Sequence, residues 1–489
     1  MKSNLSKIIS NILEIGFQIH PAAIQILQNE NNEINLEKII KEIIDNKIKT
    51  NLKDKTISKI DVDNLLNSIY IKEKNSVKES QELKVEAVVK FDVSEKIEST
   101  KEIKGELMFQ SLFRSRFQKL LSIASKRPGY NNLESLAGVS KHNKGSYRTS
   151  GLVLEKRITP NAVQFVIDDF TGRIPIVALN ENVKNVANKI LSDQMVLVKL
   201  KVRNRGASII EEIHSPDIPD RSPTLASKRV YALLLSDLHL GSNTFLEDAI
   251  MKLISWLNKG DKDDYVSSRI RYLVIAGDGI DGVGVYPGQE NDLIINNVED
   301  QYSRLASLLQ QIPNHIKIFL APGNHDSVRQ AHPQPKISRK YAEQLYNLEN
   351  VTMISNPAIL EFHRVKLLIF HGRSLDDVIS STPGLSVLRP AVAMKFLLKA
   401  RHLVPIYGGR TQLSPETEDL LTIDEVPDIF HSGHLHVLDS ERYRGTLLIN
   451  SGTWQSQTSF QANMGIVPNP GIAPIVDLST LEMLSKSFL

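Results

Sequence analysis

Apolar residues are spaced differently in successive parts of the chain, and each change of spacing marks a change of structure. Up to about residue 70, apolar positions recur three and four apart: Leu5, Ile8, Ile9, Ile12 and Leu13 first, then the runs INLEKIIKEIIDNKI and DVDNLLNSIYI. That period predicts amphipathic helices only, and a small helical module over residues 1–72. From 73 to 105 the text EKNSVKESQELKVEAVVKFDVSEKIESTKEIKG is dense in Lys, Glu and Ser with few large apolar residues. It reads as a flexible charged linker.

Between 147 and 214 the pattern becomes strand-like: YRTSGLVLEKRI, AVQFVIDD and GRIPIVAL, then the helix-patterned VKNVANKIL, then QMVLVKLKV and ASIIEEIH. Three strands, a helix and two strands is the element order of an OB-fold, a small barrel that often binds single-stranded nucleic acid. A barrel used only for packing has the same order. With its preceding helix this domain is expected over 106–220. Beyond the proline-marked HSPDIPDRSPTLASK come buried runs, VYALLLSD, RYLVIAGD, IKIFLAPGNHD, KLLIFHG and DIFHSGHLH, separated by helix-patterned FLEDAIMKLISWLNK and EDQYSRLASLLQQI. These predict a layered α/β domain over 228–489, whose strand ends open on one crevice. The whole is then a multidomain α+β protein.

Composition narrows the chemistry. The 489 residues contain no cysteine, which excludes disulfides, thiolate zinc sites, iron–sulfur clusters and cysteine nucleophiles. A metal would have to be held by His, Asp, Glu or Asn. The first segment lacks the unbroken apolar stretch of a signal peptide, and no run reaches membrane-spanning length, so a cytoplasmic protein without a membrane partner is expected. A net charge of +3 says little, but residues 101–150 carry ten Lys or Arg against three Glu. Interleaved with Phe113, Phe117, Tyr130 and Tyr147, that stretch suits a nucleic-acid backbone and its bases, or a solvated helix whose aromatics are core. QSLFRSRF loosely resembles a sliding-clamp binding peptide anchored by Gln110, Phe113 and Phe117, with an ordinary amphipathic helix as the alternative. In LKARHLVPIYGGR, the side chains of Lys399, Arg401, His402 and Arg410 are candidates for substrate phosphates, or parts of a structural lid or subunit contact.

Five polar clusters stand directly after five strands: Asp237 and His239 in SDLHLGS, Asp278 in GDGID, Asn324, His325 and Asp326 in GNHD, His371 in FHG, and His434 and His436 in GHLH. Singly, each is an ordinary turn or a hydrogen-bonded histidine. Together, in one domain and with oxygen and imidazole donors only, they point to a metal site. Neutral imidazole and carboxylate suit manganese, iron, zinc or nickel, and a carboxylate can bridge two cations. Two such ions can clamp a phosphodiester and activate water, which is what phosphate ester hydrolysis requires.

The ordered set D-x-H, G-D-x-x-D, G-N-H-D, H-G and G-H-x-H is similar to the calcineurin-like metallophosphoesterase family, with an α/β/β/α layering. The resemblance implies that Asp237, His239 and His436 hold one divalent ion and Asn324, His371 and His434 another. Asp278 would bridge them, and His325 would act at the leaving oxygen, oriented by Asp326. Manganese is the first expectation for both ions, with magnesium, iron, zinc or nickel as alternatives. The stretches GDGIDGVGVYPGQENDL, IPNHIKIFLAPGNHDSVRQAHPQP and LRPAVAMKFLLKARHLVPIYGGRTQL resemble, more closely, the small exonuclease subunits of archaeal family D DNA polymerases. That likeness implies a 3′→5′ exonuclease that proofreads beside a large catalytic polymerase subunit, on a single-stranded or frayed 3′ end. A non-catalytic scaffold, like the related B-subunits of replicative polymerases, and a free-standing metallophosphodiesterase are the alternatives.

Overall fold

The computed structural model describes residues 85–98 and 106–489 apart from 205, 264 and 464. Before them it describes 12–14, 16–29, 40, 41, 43–45, 47, 55–57, 59, 61 and 62. The chain divides into two compact units, Met1–Leu83 and Lys84–Leu489. In the first, strand Gln18–Ile19 pairs in parallel with Thr56–Ile57, and helix Pro21–Asn29 follows directly. The expectation of helices alone is therefore corrected by a small sheet, whose two-residue strands are too short to leave an alternating pattern in the sequence. Most of the predicted helix at the start and of DVDNLLNSIYI lies outside the described residues.

The second unit starts well before residue 106, which corrects the linker reading. Ala87–Asp92 is an edge strand antiparallel to Ala358–Phe362. Val93 and Ser94 are buried, with Val93 N donating to Ser355 Oγ at 2.9 Å and Lys336 N donating to Ser94 Oγ at 2.9 Å. An edge strand rests on its neighbour by one side only, so a short run such as VEAVVKFD suffices, and the charges around it masked the run.

A closed five-stranded barrel follows. Gly145–Ile158 pairs with Val163–Asp169, then Gly172–Ala178, Ser208–His214 and Met195–Val202, which returns to the first strand. Alternate residues such as Phe165 and Ile167, or Val196, Val198 and Leu200, fill its interior, as the period of two demands. Helix Glu181–Ala187 sits between the third and fourth strands in sequence.

Helix Glu106–Ala124 lies against this barrel through Phe117, Leu120 and Ala124, which meet Met195 and Leu197. On its other side Arg116 forms a buried ion pair with Asp419 at 2.7 Å, and His402 Nε2 reaches the same carboxylate at 2.9 Å. Arg401 is also buried, donating to the carbonyls of Ile423 and Asp424. Arg116, Arg401 and His402 are thus internal, and of the cations considered for phosphate contact only Lys399, Arg410 and those on exposed surface remain. Phe117 is buried and Phe113 meets Tyr407 edge-on, so two of the three residues of the clamp-like peptide are engaged within the chain. An amphipathic helix with two apolar partners needs both of its aromatic anchors for itself.

The rest is four layers. One six-stranded sheet runs Val351–Met353, Lys317–Ala321, Ile270–Ala276, Tyr231–Leu235, Ile472–Asp477, Glu482–Ser487; its first four strands are parallel. The other runs Asp439–Tyr443, Thr446–Asn450, Ile429–Ser432, Val365–Ile369, Ala358–Phe362, Ala87–Asp92. Residues of both sheets share the central core, among them Leu234, Val274, Leu367 and Ile449. Helices Glu247–Asp263, Val298–Leu309 and Arg339–Tyr346 cover the outer face of the first sheet, and Leu375–Ser381 and Pro390–Ala400 that of the second. Every residue of Tyr231–Leu235 and Ile270–Ala276 is buried, and all but Arg271 are apolar, as parallel strands covered on both faces require. No helix among the described residues is long and apolar enough to cross a membrane.

Candidate metal centre

Each candidate residue follows its strand closely: Asp237 and His239 after Tyr231–Leu235, Asp278 after Ile270–Ala276, Asn324 and His325 after Lys317–Ala321, His371 after Val365–Ile369, His434 and His436 after Ile429–Ser432. Reversing direction so near a strand end strains the backbone. Asp237, His239, Asp278, His434 and His436 all have left-handed backbones, with φ of 54°, 52°, 52°, 68° and 59°. Non-glycine residues hold that conformation only where the surrounding structure enforces it, and it aims their side chains inward. Two glycines make room. A Cβ on Gly323 would lie 2.2 Å from Asp278 Oδ1, and one on Gly433 would lie 2.4 Å from Asp237 Oδ2.

The two sheets thus bring their loops together. Asp237, His239 and His436 form one group of donor atoms, Asp237, Asp278 and His371 a second, and His239, Asp278 and His325 a third, each with its atoms within 4.8 Å of one another. His239 Nε2 and His436 Nε2 are 3.0 Å apart, and Asp237 Oδ1 lies 3.8 Å and 3.3 Å from them. That oxygen is buried without a hydrogen-bond partner. Since Asp281 Oδ1 sits 2.8 Å from His239 Nδ1, the proton belongs on Nδ1, and the lone pair of Nε2 faces the cluster. A carboxylate oxygen without a hydrogen-bond partner, converging with two imidazole nitrogens, fits a divalent cation.

Around the second group, His371 Nε2 is 3.2 Å from both Asp278 Oδ2 and Asn324 Oδ1, while its Nδ1 donates to Ala276 O at 2.8 Å. His434 is placed differently from the other histidines. Its backbone N donates to Asp237 Oδ2, its ring lies 5.3 Å from that of His371, and its Nε2 is taken by Asp376 at 3.1 Å. Burial pushes the Asp278 carboxyl up, but His371, His325 and His239 outweigh it and hold it well below the usual carboxylate range. Asp237 is treated alike: His436 and His371 overcome burial and hold it at about 2. For His371 burial pushes down, and the Asp278 carboxylate outweighs it to raise the ring to about 9. The site is therefore anionic in its carboxylates and draws positive charge to itself.

The segment carrying all these residues has known relatives. Residues 232–436 match the family of B-subunits of DNA polymerases alpha and epsilon. The DNA polymerase II small subunit of Pyrococcus furiosus is 42% identical over 421 residues, covering 82% of this chain and 68% of that protein. The DNA polymerase II small subunit of Methanothermobacter thermautotrophicus is 41% identical over 384 residues, 77% of this chain and 78% of that one. The chain belongs to the archaeal DNA polymerase II small-subunit family. It spans 66% of the length of the Pyrococcus horikoshii member, with which it shares 42% identity.

Within this small-subunit chain, two neighbouring residues of GNHD part ways. The His325 ring is partly exposed, packs edge-on against His239 at 4.6 Å and has its Nδ1 2.8 Å from Asp281 O. Asp326 turns the other way and accepts from Gly323 N, Gly279 N and Tyr302 OH at 2.9, 3.3 and 3.1 Å. The expectation that Asp326 orients His325 is therefore corrected. Consecutive side chains here leave opposite sides of the loop, so Asp326 ties two loops together from beneath. Burial first, and then the charge of Asp278, raise it to about 6.

Several contacts went unread in the sequence. Asp281 closes the G-D-x-x-D pattern, a signal present but not assigned a role. Gln289 Nε2 donates to Asp281 Oδ2 at 3.0 Å, and Gln461 Nε2 lies 2.7 Å from His436 Nδ1. Asp376, the partner of His434, is the first carboxylate of HGRSLDD. The glutamines carry no sequence signal of their own, because an amide outside a turn motif suggests nothing about its partner.

Proposed function

We propose that this chain is the nuclease subunit of a family D DNA polymerase, hydrolysing DNA phosphodiesters from a 3′ end to proofread for a large catalytic subunit. The observation that carries this reading is the convergence of Asp237 Oδ1, buried and without a hydrogen-bond partner, with the Nε2 atoms of His239 and His436. In this reading Asp237, His239 and His436 hold one divalent ion, Asn324, His371 and His434 a second, and Asp278 serves both, with manganese the first expectation. Bound there, the two ions would supply Lewis acidity toward a phosphodiester and lower the pKa of water.

The remaining work falls to protein groups. His325, partly exposed beside the cluster, is suited to give a proton to the leaving oxygen, its Nδ1 fixed by the Asp281 carbonyl. Asp281 also sets the proton position on His239. The closed barrel, with three strands, a helix and two strands in order, supports an OB-fold that guides a single strand. Domain boundaries near 84–98 with 106–220 and 228–489 follow, the barrel and the layered domain making up one unit. A scaffold without catalysis has no need of so complete a donor set.

The test is Asp278→Asn. Excision of a 3′-labelled strand should be abolished, metal content should fall at both positions, and the fold should persist. Mismatched 3′ ends should be cut faster than matched ones by the unaltered chain, since they cost less to unpair. Normal excision by Asp278→Asn would overturn the site, and equal rates on the two ends would overturn the editing role. Co-purification with a large polymerase subunit from the source cells tests the partner.

A further inference from the structure

The loop that follows Asp281 runs beside His325 and turns apolar side chains outward. Val283, Val285 and Tyr286 are 45%, 37% and 41% exposed. Distances fix where they stand. Gly282 has a left-handed backbone, with φ of 71°, and a Cβ there would lie 2.3 Å from the carbonyl oxygen of His325 and 2.9 Å from the Cγ2 methyl of Val285. Val285 is thus set against the segment of His325, whose Nδ1 is 2.8 Å from the carbonyl oxygen of Asp281 in the same loop. Tyr286 follows, with its hydroxyl donating to Asp292 Oδ2 at 3.0 Å.

Two fully buried glutamines brace this loop from beneath. Gln289 accepts from Val285 N at 2.8 Å and donates to Asp281 O at 2.9 Å, while Gln301 accepts from Gly282 N at 2.9 Å and donates to Gly282 O at 3.1 Å. A backbone so held keeps apolar groups in water at a cost that a ligand covering them would recover. Charge decides what kind of ligand that is. Residues 281–292 contain Asp281, Glu290 and Asp292 and no Lys, Arg or His. A phosphate is repelled there, whereas a neutral nucleobase offers a flat apolar face to tyrosine and valine. In hydrolysis from a 3′ end the P–O3′ bond breaks, the oxygen of water joins phosphorus, and His325 gives its proton to O3′ of the penultimate nucleotide. The nucleotide nearest His325 is therefore the penultimate one, not the terminal one that is released.

We propose that Val285 and Tyr286 form a stacking subsite for the base of the penultimate nucleotide of the substrate strand. This deepens the nuclease reading and rests on it: the site then holds the strand by an unpaired base on the side of the leaving oxygen, whatever that base is. Stacking on an aromatic ring is tolerant of sequence because every base has such a face.

The test uses the full chain, the double variant Val285→Ser/Tyr286→Ser and the ring-preserving Tyr286→Phe. Binding of fluorescent single-stranded oligonucleotides is followed by anisotropy in calcium buffer, with every base present, with the terminal base missing or with the penultimate base missing. For the unaltered chain and Tyr286→Phe, loss of the penultimate base should weaken binding roughly tenfold, and loss of the terminal base should change it little. The serine variant should bind the intact strand roughly tenfold more weakly and the penultimate-abasic strand as the unaltered chain does, because both changes remove one contact. An unaltered chain indifferent to the penultimate base overturns the subsite whatever the variants do, and so do equal losses by the serine variant on all three strands. Normal binding of every strand by the serine variant also overturns it, and loss of co-elution with a large polymerase subunit would then make the loop a protein contact. A chain that depends on the penultimate base for binding but cleaves no strand in manganese overturns the nuclease reading and upholds the subsite.

Discussion

His239 Nδ1 and Asp281 Oδ1 lie 2.8 Å apart, and this one contact decides which nitrogen of the ring faces the donor cluster. Asp281 is itself held by Gln289 Nε2 at 3.0 Å and offers its carbonyl to His325, so the same residue positions two histidines. Asp281→Asn places an amide where a carboxylate accepted the proton. Manganese affinity measured by calorimetry is expected to fall roughly 10–100-fold, with the melting temperature little changed. Unaltered affinity would remove Asp281 from any role at the centre.

His325 and Asp326 are adjacent but should fail differently. His325→Ala is expected to lower turnover by roughly 10²–10⁴-fold while both ions stay bound, because only a proton donor is lost. Asp326→Ala leaves Gly323 N and Gly279 N buried without acceptors and should cost about 1–3 kcal/mol of stability or more in urea unfolding. Metal loss in His325→Ala, or full stability in Asp326→Ala, would contradict these assignments.

Residues 84–98 belong to the folded unit rather than to a tether. A chain beginning at residue 106 loses strand Ala87–Asp92 and bares the edge of Ala358–Phe362, together with the pocket filled by Val93. Size-exclusion chromatography and thermal melting should show it aggregating or melting earlier, while a chain beginning at 84 behaves as a folded monomeric unit. Equal behaviour of the two would return this segment to the linker.

Two buried histidines should make the fold sensitive to acid above the ordinary carboxylate range. Burial holds His332 and His431 at about 3, in His332 with help from His371 and in His431 against Asp237. The unfolded chain therefore binds more protons as pH falls below about 6.5, and stability drops by about 1.4 kcal/mol per pH unit for each ring, down toward pH 3. Asp419, pushed up by burial but held well below the usual range by His402 and Arg116, adds a further loss below about pH 4. Both ring nitrogens of His332 lack partners, so His332→Leu should fold. Its unfolding free energy between pH 6 and 4.5 should fall less steeply by that one ring's share, and an unchanged slope would mean the ring is protonated in the folded protein.

The sequence by itself determined where the strands of the layered domain lie and that reactive groups end them. YALLL is apolar at every position and IRYLVIA at every position but Arg271, and only strands covered on both faces require such runs. Asp237, His239, Asp278, His371, His434 and His436 were legible because polar residues directly after such runs have nowhere to point except the crevice at the sheet's edge. The family resemblance was legible for the same reason, since its motifs are those loops.

Only the tertiary structure decided what the loops do to one another. Val93 donates to Ser355 across 262 positions, and no local pattern distinguishes an edge strand with such a partner from charged linker. Arg116 reads as a surface cation until Asp419 and His402 arrive to enclose its charge. Asp281 and Asp326 are chemically identical, and either suits His325 on paper. Which one reaches it depends on left-handed backbone at Asp278 and on the direction each loop leaves its strand, a matter of long-range packing that pairs residues by position in space rather than by order in the chain.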